Sequence, residues 1–349
     1  MKKKTWLKVS LFFATLLVVL GIVVVPIPYY IEQPGSTINL KDLITVNNKE
    51  DTQAGSFSLT SVGIRRATVA TALISKFSAF DELLSEKDLM GSASSEEYNQ
   101  IQQYYMQSAQ NNAAEQALKL AGMDYSMKYK GVYVMSVEKN SSFYGVIQIG
   151  DTVTGVDGKS FESSQAFMSY VQSQKVGQTM TVSYTHNNET KTASGKLIEL
   201  STTKKAGIGI SLVDHTEIES DQAIDFHVEN IGGPSAGLMF TLEIYQQLTG
   251  KDLRHGKVIA GTGTIDETGT VGRIGGIDKK VASASNEGVE IFFAPDDEIT
   301  DAEKKADPTI QTNYEEAKAA AKKLNTTMKI VPVKTLKDAI DYLNGLQDS

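Results

Sequence analysis

The sequence predicts a multidomain α+β chain preceded by one helix able to cross a membrane. Three observations carry that reading. Lys2, Lys3, Lys4 and Lys8 precede an uncharged, strongly apolar run from Val9 to Ile31. Short alternating segments between Met127 and about Leu197 read as strands closed by turns. From Ile208 onward, strands and amphipathic helices alternate to the end of the sequence. A length of 349 residues leaves room for two modest domains and connecting elements. The net charge of −8 argues against nucleic acid as a partner. The absence of cysteine removes disulfides, zinc–cysteine sites and cysteine nucleophiles.

Val9 to Ile31, at about 1.5 Å per residue, would reach roughly 34 Å as a helix, enough to span a bilayer. The lysines on its N-terminal side place residues 1–8 in the cytoplasm and everything after Glu32 outside. No small-residue cleavage motif closes the run, so an uncleaved anchor is expected over a signal peptide. Pro26, Pro28, Tyr29 and Tyr30 suit the outer interface. Residues 32–126 read as strands and then helices. Phe57 to Val62 alternates as a strand that would join the sheet of the C-terminal domain, which would make the domain between them an insertion. Helices are expected over Ala67–Leu84 and Glu96–Leu120, separated by the Gly91–Ser95 linker.

The next region opens with Lys130-Gly131-Val132-Tyr133-Val134 on a strand. Gly150-Asp151-Thr152-Val153-Thr154-Gly155-Val156-Asp157-Gly158 comes after it, then a helix from Ser164 to Gln174 and a strand from Thr179 to Tyr184. This order resembles a bacterial PDZ domain, placed at residues 127–197. The resemblance implies a peptide taken as an added strand, in a groove between Gly131, Val132, Tyr133 and Val134 and the helix of Phe167, Met168 and Val171. Those three apolar side chains would serve equally as core.

Two glycine-rich turns carry the chemistry. In Asn230-Ile231-Gly232-Gly233-Pro234-Ser235-Ala236-Gly237-Leu238 a serine stands at the mouth of a helix, where backbone N–H groups favour a developing oxyanion. Serine in this place is also the commonest kind of helix cap. In Arg273-Ile274-Gly275-Gly276-Ile277-Asp278-Lys279-Lys280 a second glycine pair opens another helix. A lysine near that positive helix end, if buried, loses its proton readily and can take one from a serine. Of the four histidines, His227 is the rival base because it precedes Ser235 on a strand.

The two turns in this order, with Val289-Glu290-Ile291-Phe292-Phe293-Ala294-Pro295 after them, resemble the proteolytic domain of the Lon family, placed at residues 198–349. The resemblance implies a dyad of Ser235 and Lys280. Thr262 would orient the lysine, and backbone amides around Gly233 to Ala236 would hold the oxyanion. Gly232 departs from the family, many members of which have an acidic residue before the Gly-Pro-Ser. The phosphate-binding loop of the Lon ATPase module is absent from the sequence, so no ATP, metal or other cofactor is expected. The layout of tail (1–8), anchor (9–31), mixed region (32–126), PDZ domain and proteolytic domain resembles the membrane-bound PDZ–Lon-like proteases of Gram-positive bacteria, the SepM or YlbL type. The resemblance implies an extracellular serine endopeptidase acting on flexible secreted peptides, such as a quorum-sensing pheromone, with homo-oligomerisation left open. A non-catalytic PDZ scaffold tethering peptides at the membrane, and an esterase or amidase using the same dyad, remain the alternatives.

Overall fold

The computed structural model describes residues 2–91, 93–228 and 231–348; Met1, Ser92, Asn230 and Ser349, which the sequence readings include, lie outside them. In chain order, helix α1 (Lys2–Val24) is followed by β1 (Pro26–Asn39), β2 (Ile44–Val46) and β3 (Ser56–Thr68). Then come α2 (Val69–Ser75), β4 (Glu82–Ser85), α3 (Glu86–Met90) and the long α4 (Ser95–Ala121). The middle of the chain forms β5 (Ser126–Val137), β6 (Thr152–Val156), α5 (Ser164–Gln172), β7 (Thr179–His186) and β8 (Glu189–Lys196). Next are β9 (Ile198–Glu199), β10 (Ala206–Gly207), β11 (Ile210–Glu219), β12 (Ile224–Phe226) and α6 (Gly237–Thr249). The last part holds β13 (Val258–Gly261), β14 (Thr264–Ile265), β15 (Val271–Gly272), α7 (Ile277–Asn286) and β16 (Ile291–Pro295). It ends with α8 (Asp301–Ala306), α9 (Asn313–Leu324), β17 (Lys329–Val333) and α10 (Leu336–Asn344).

The chain divides into two compact units. The first comprises residues 1–43, 52–93 and 252–349; the second, inserted into it, comprises residues 44–51 and 94–251.

In the first unit a six-stranded sheet runs β17-β16-β13-β3-β1-β4. β3, β13, β16 and β17 are mutually parallel, whereas β1 lies antiparallel to both β3 and β4. Phe57 stands opposite Ile259, so the strand expected to join this sheet does join it. The parallel strand β16 is buried at every position, as a strand covered on both faces must be. Ile277, Val281 and Ala284 of α7 and Ala317 and Ala320 of α9 pack with Phe292 in one apolar cluster.

The second unit holds the sheet β11-β5-β6-β7-β8 around a core that includes Val132, Val134, Phe143, Ile147, Phe167, Val171 and Met180. Phe167 and Val171 are therefore core, as the alternative reading had it, while Met168 is half-buried beside them. α4 matches the expected span within a residue, and its N-terminus is closed by a reciprocal Ser94–Glu97 capping box.

Several expected boundaries are corrected. The apolar helix ends at Val24 rather than Ile31, because Pro26 and Pro28 cannot continue it and the chain turns extended into β1. Ile31, expected in the span, is fully buried in the first unit with Ala67 and Ala72. The helix expected over Ala67–Leu84 is a strand end, a two-turn helix capped by Thr68, and the strand β4. The five-stranded sheet takes in β11 as its outermost strand, beyond Leu197. Residues 198–349 are not one unit, because the division falls between Lys251 and Asp252.

The position of β1 yields a stability test. β4 pairs with β1 only through Tyr29, Tyr30, Ile31 and Glu32. A chain beginning at Pro26 should unfold cooperatively. One beginning at Gln33 loses all pairing to β4 and the burial of Ile31, roughly 3 kcal/mol or more in total. Its thermal transition by circular dichroism should be strongly lowered or absent.

Candidate active site

Lys280 and Thr262 belong to the first unit. Gly276 occupies the N-cap of α7 with φ 64°, a left-handed conformation in which a Cβ would also fall 2.8 Å from Val62 Cγ1 and 3.3 Å from Glu32 Oε1. Glycine thus lets the helix start against β1 and β3. Lys280, one turn in, donates its backbone N–H to Gly276 and turns its side chain inward, where it is 3% exposed. Its Nζ lies 3.1 Å from Oγ1 of Thr262, itself fully buried just beyond β13. The Thr262 N–H is held by the Phe293 carbonyl at 3.1 Å, which ties the threonine to the parallel sheet.

The adjacent lysines have opposite fates. Burial lowers the Lys280 pKa from 10.5 to about 7, against a smaller opposing pull from the Glu32 charge. Burial acts on Lys279 in the same sense, but its hydrogen bond to Glu82 and the charges of Asp278, Glu32 and Glu82 outweigh it and hold the pKa above the ordinary value. Lys279 Nζ is 2.9 Å from Glu82, 3.3 Å from Asp278 and 3.4 Å from Glu32. Lys279 is therefore a charged anchor of the α7 N-terminus, and Lys280 is the amine able to be neutral near pH 7.

Ser235 belongs to the second unit. Ser235 is half-buried at the entrance to α6, and the helix's N-cap position falls on Ala236, with no side-chain cap. Gly233 has φ 90°, and its N–H donates to the Gln102 carbonyl of α4 at 2.8 Å. That amide, expected among the oxyanion donors, is thus already engaged. Behind it α6 is buried along its length, including Glu243 and Gln246. Gln247 Nε2 donates to Glu243 at 2.7 Å and to the Ile44 carbonyl at 3.2 Å, while its Oε1 accepts from the Val46 N–H at 3.1 Å. The serine turn is tied to α4 and the far end of α6 to the β2 segment, neither of which the sequence had linked to it.

Three of the histidines have the following surroundings. His227 is exposed just past β12. His215 Nδ1 lies 2.7 Å from Thr152 Oγ1, and its pKa is lowered by burial and by the Lys130 charge, only partly offset by Glu217. His186 pairs with Asp151 at 2.6 Å.

The expected peptide groove is corrected. Gly131, Val132, Tyr133 and Val134 lie in β5, which is paired on one side with β11 (His215, Asp214, Val213 and Leu212) and on the other with β6. A strand bonded along both edges has no backbone groups left for a peptide. The outer strand is β11, and Asp214 on it accepts from the Ser164 N–H at the start of α5 at 2.7 Å. β11 therefore lies where the groove strand was expected. The alternation at Gly131–Val134 marked a strand but not its neighbours.

Residues 213–343 match the Lon protease (S16) C-terminal proteolytic domain, and residues 120–197 match the PDZ domain family. A Lon protease of Fusobacterium nucleatum subsp. nucleatum is 36% identical over 106 residues, which is 30% of this chain and 12% of that relative. This chain thus corresponds to a small part of that protein's length. Among solved structures, the PDZ domain of the SdrC-like protein of Listeria monocytogenes is 42% identical, with 25% of this chain and 90% of that one covered and a TM-score of 0.24. Its counterpart from Listeria innocua is also 42% identical, covering 24% of this chain and 96% of that one, with a TM-score of 0.24. Behind an N-terminal apolar helix, the chain therefore joins a PDZ domain to a proteolytic domain of the Lon (S16) type.

Proposed function

We propose that the protein is an ATP-independent, membrane-anchored serine endopeptidase working outside the cell with a Ser235/Lys280 dyad. The observation that carries this reading is the buried Lys280 amine, its pKa lowered to about 7, beside the Thr262 hydroxyl. A charged lysine has no lone pair to accept a proton, whereas this one is substantially neutral at physiological pH. Ser235 Oγ attacks the scissile carbonyl carbon while its proton passes to Lys280 Nζ. The oxyanion is held by amides of the first turn of α6, which a helix leaves without intrahelical acceptors. Lys280 then gives the proton to the leaving amine as the C–N bond breaks. Water, deprotonated by the same amine, releases the acyl group.

The substrate is a flexible peptide, because nothing in the sequence supplies the ATP-driven unfolding of a Lon ATPase module. A peptide added as a strand would pair with the outer edge of β11. Its Asp214 and Thr216 carbonyls already accept from Tyr104 and Asn111 of α4, so the stretch from Ile210 to Val213 beside α5 is the place for it. Maturation of a secreted signalling peptide, as in the Gram-positive membrane-bound type, is the biological role this layout suits.

Incubation of a secreted-peptide pool with the protein, read by mass spectrometry, should show cleavage that Ser235→Ala and Lys280→Ala each reduce by at least about a thousandfold. Full activity in Lys280→Ala would move the base elsewhere, and inactivity of the unaltered protein would leave a scaffold. The pH profile of kcat/KM should rise through about 7 and then level, because only the neutral amine is competent. A profile flat down to acidic pH would remove Lys280 from the base role.

The same amine has a stability signature. Its folded pKa is depressed, so between about 7 and 10.5 the unfolded chain binds the extra proton and stability rises with pH. Below that window the folded state carries the full cost of the buried charge, on the order of 5 kcal/mol. Lys280→Met should therefore be more stable than the unaltered chain in urea titrations at pH near 6, with the difference closing toward pH 10. A difference independent of pH would contradict the depressed pKa.

A further inference from the structure

We propose that α2 and the turn after it form a second membrane contact, dipping into the lipid headgroup–acyl boundary beside the apolar helix. The inference rests on the anchor reading of α1 and concerns a different part of the chain.

α2 is amphipathic in the wrong sense for a protein surface in water. Its inward residues are small, Ala72 at 8% and Ser75 at 3% exposure. Its outward residues are large and apolar, Val69 at 41%, Leu73 at 56% and Ile74 at 65%, and Phe77 just beyond is 92% exposed. A phenylalanine and three aliphatic side chains presented together form a contiguous apolar patch, which on a soluble surface marks an interaction site.

The sheet register identifies the partner. Pro26, two residues past the end of α1, pairs with Thr68, and Thr68 is the N-cap of α2. α2 therefore starts at the level where the chain leaves the apolar helix, and it packs beside that helix. α1 carries a 19-residue stretch, Trp6–Val24, long and apolar enough to cross a bilayer, with its side chains exposed. The patch on α2 is thus continuous with the lipid-facing surface of α1. Tyr29, 40% exposed on β1, and Arg66, whose guanidinium lies 5.9 Å from the Tyr30 ring centroid, stand nearby, as does exposed Lys76 at the end of α2. Aromatic and basic side chains of this kind favour the headgroup layer. A bilayer accounts for the inverted helix and its surroundings together.

The chain has no cysteine, so single cysteines can carry a nitroxide label without background. The full chain would be reconstituted into vesicles of mixed phosphatidylcholine and phosphatidylglycerol. Labels would be placed at Leu73→Cys, Phe77→Cys, Leu17→Cys in α1 and Lys337→Cys on the exposed face of α10. Collision with apolar oxygen and with a water-soluble nickel chelate would then be compared. Labels at Leu73 and Phe77 should show an oxygen-to-nickel accessibility ratio several-fold above that at Lys337, approaching that at Leu17. A nickel-favoured label at Phe77 with an oxygen-favoured one at Leu17 would overturn the proposal and leave the anchor standing. A nickel-favoured label at Leu17 would overturn both. Dipolar broadening between Phe77 labels on different chains, without oxygen preference, would assign the patch to a second copy and also overturn it.

Discussion

Burial of the Lys280 amine beside Thr262 is the constraint on which the first unit depends. An ammonium buried in that position would lose its hydration, so the fold favours the amine's neutral form. That tolerance costs stability below the amine's ordinary pKa, and the surroundings show how the cost is carried. Lys279, the next residue, keeps its charge against a cluster of carboxylates and pins the start of α7. Gly276 lets the helix begin against β1 and β3, and the Phe293 carbonyl fixes the threonine strand end. Two lysines of the same chemistry, side by side, are separated in function by where the helix points them.

Glu32 shows how closely the apolar helix is built into this arrangement. It lies on β1, which starts two residues after α1, and its carboxylate reaches both the Gly276 approach and the Lys279 amine. β1 is an inner strand of the sheet, between β3 and β4. The segment leaving the apolar helix is therefore a structural part of the lysine site. Here a single residue, Val25, separates helix from strand.

Much of this was legible in the sequence, and the remainder failed for identifiable reasons. The second glycine of each pair was readable because its backbone favours glycine, Gly233 with φ 90° and Gly276 with φ 64° and little clearance from Val62. Lys280 and Thr262 could be paired in advance by resemblance, and they do lie together. Pro26 to Ile31 was misread because a run of apolar residues looks the same in a bilayer and in a buried strand, and hydropathy alone does not separate them. α2 was overextended because the residues after it are compatible with helix until Ser78–Asp81 turns the chain into β4. The assignment of β5 as the open edge failed for a different reason. Its alternation was correct, but β11 pairs with it from more than seventy residues away, and long-range partners leave no local signal.

The second unit is unified by α4. Its Gln102 carbonyl accepts from Gly233 in the serine turn. One residue pair further along, Tyr104 donates to the Asp214 carbonyl, and two turns later Asn111 donates to the Thr216 carbonyl on β11. α4 also packs along α6, the helix that Ser235 introduces. A continuous helix capped at its start and closed by a left-handed Gly122 at its end does not bend locally to relieve one of these contacts alone. The edge strand of the five-stranded sheet and the turn that carries the serine are thus fixed to the same rod. A change at the β11 edge that displaces Tyr104 or Asn111 acts on the helix whose carbonyl holds Gly233, and the geometry of the serine turn is set by the same element that guards the sheet edge.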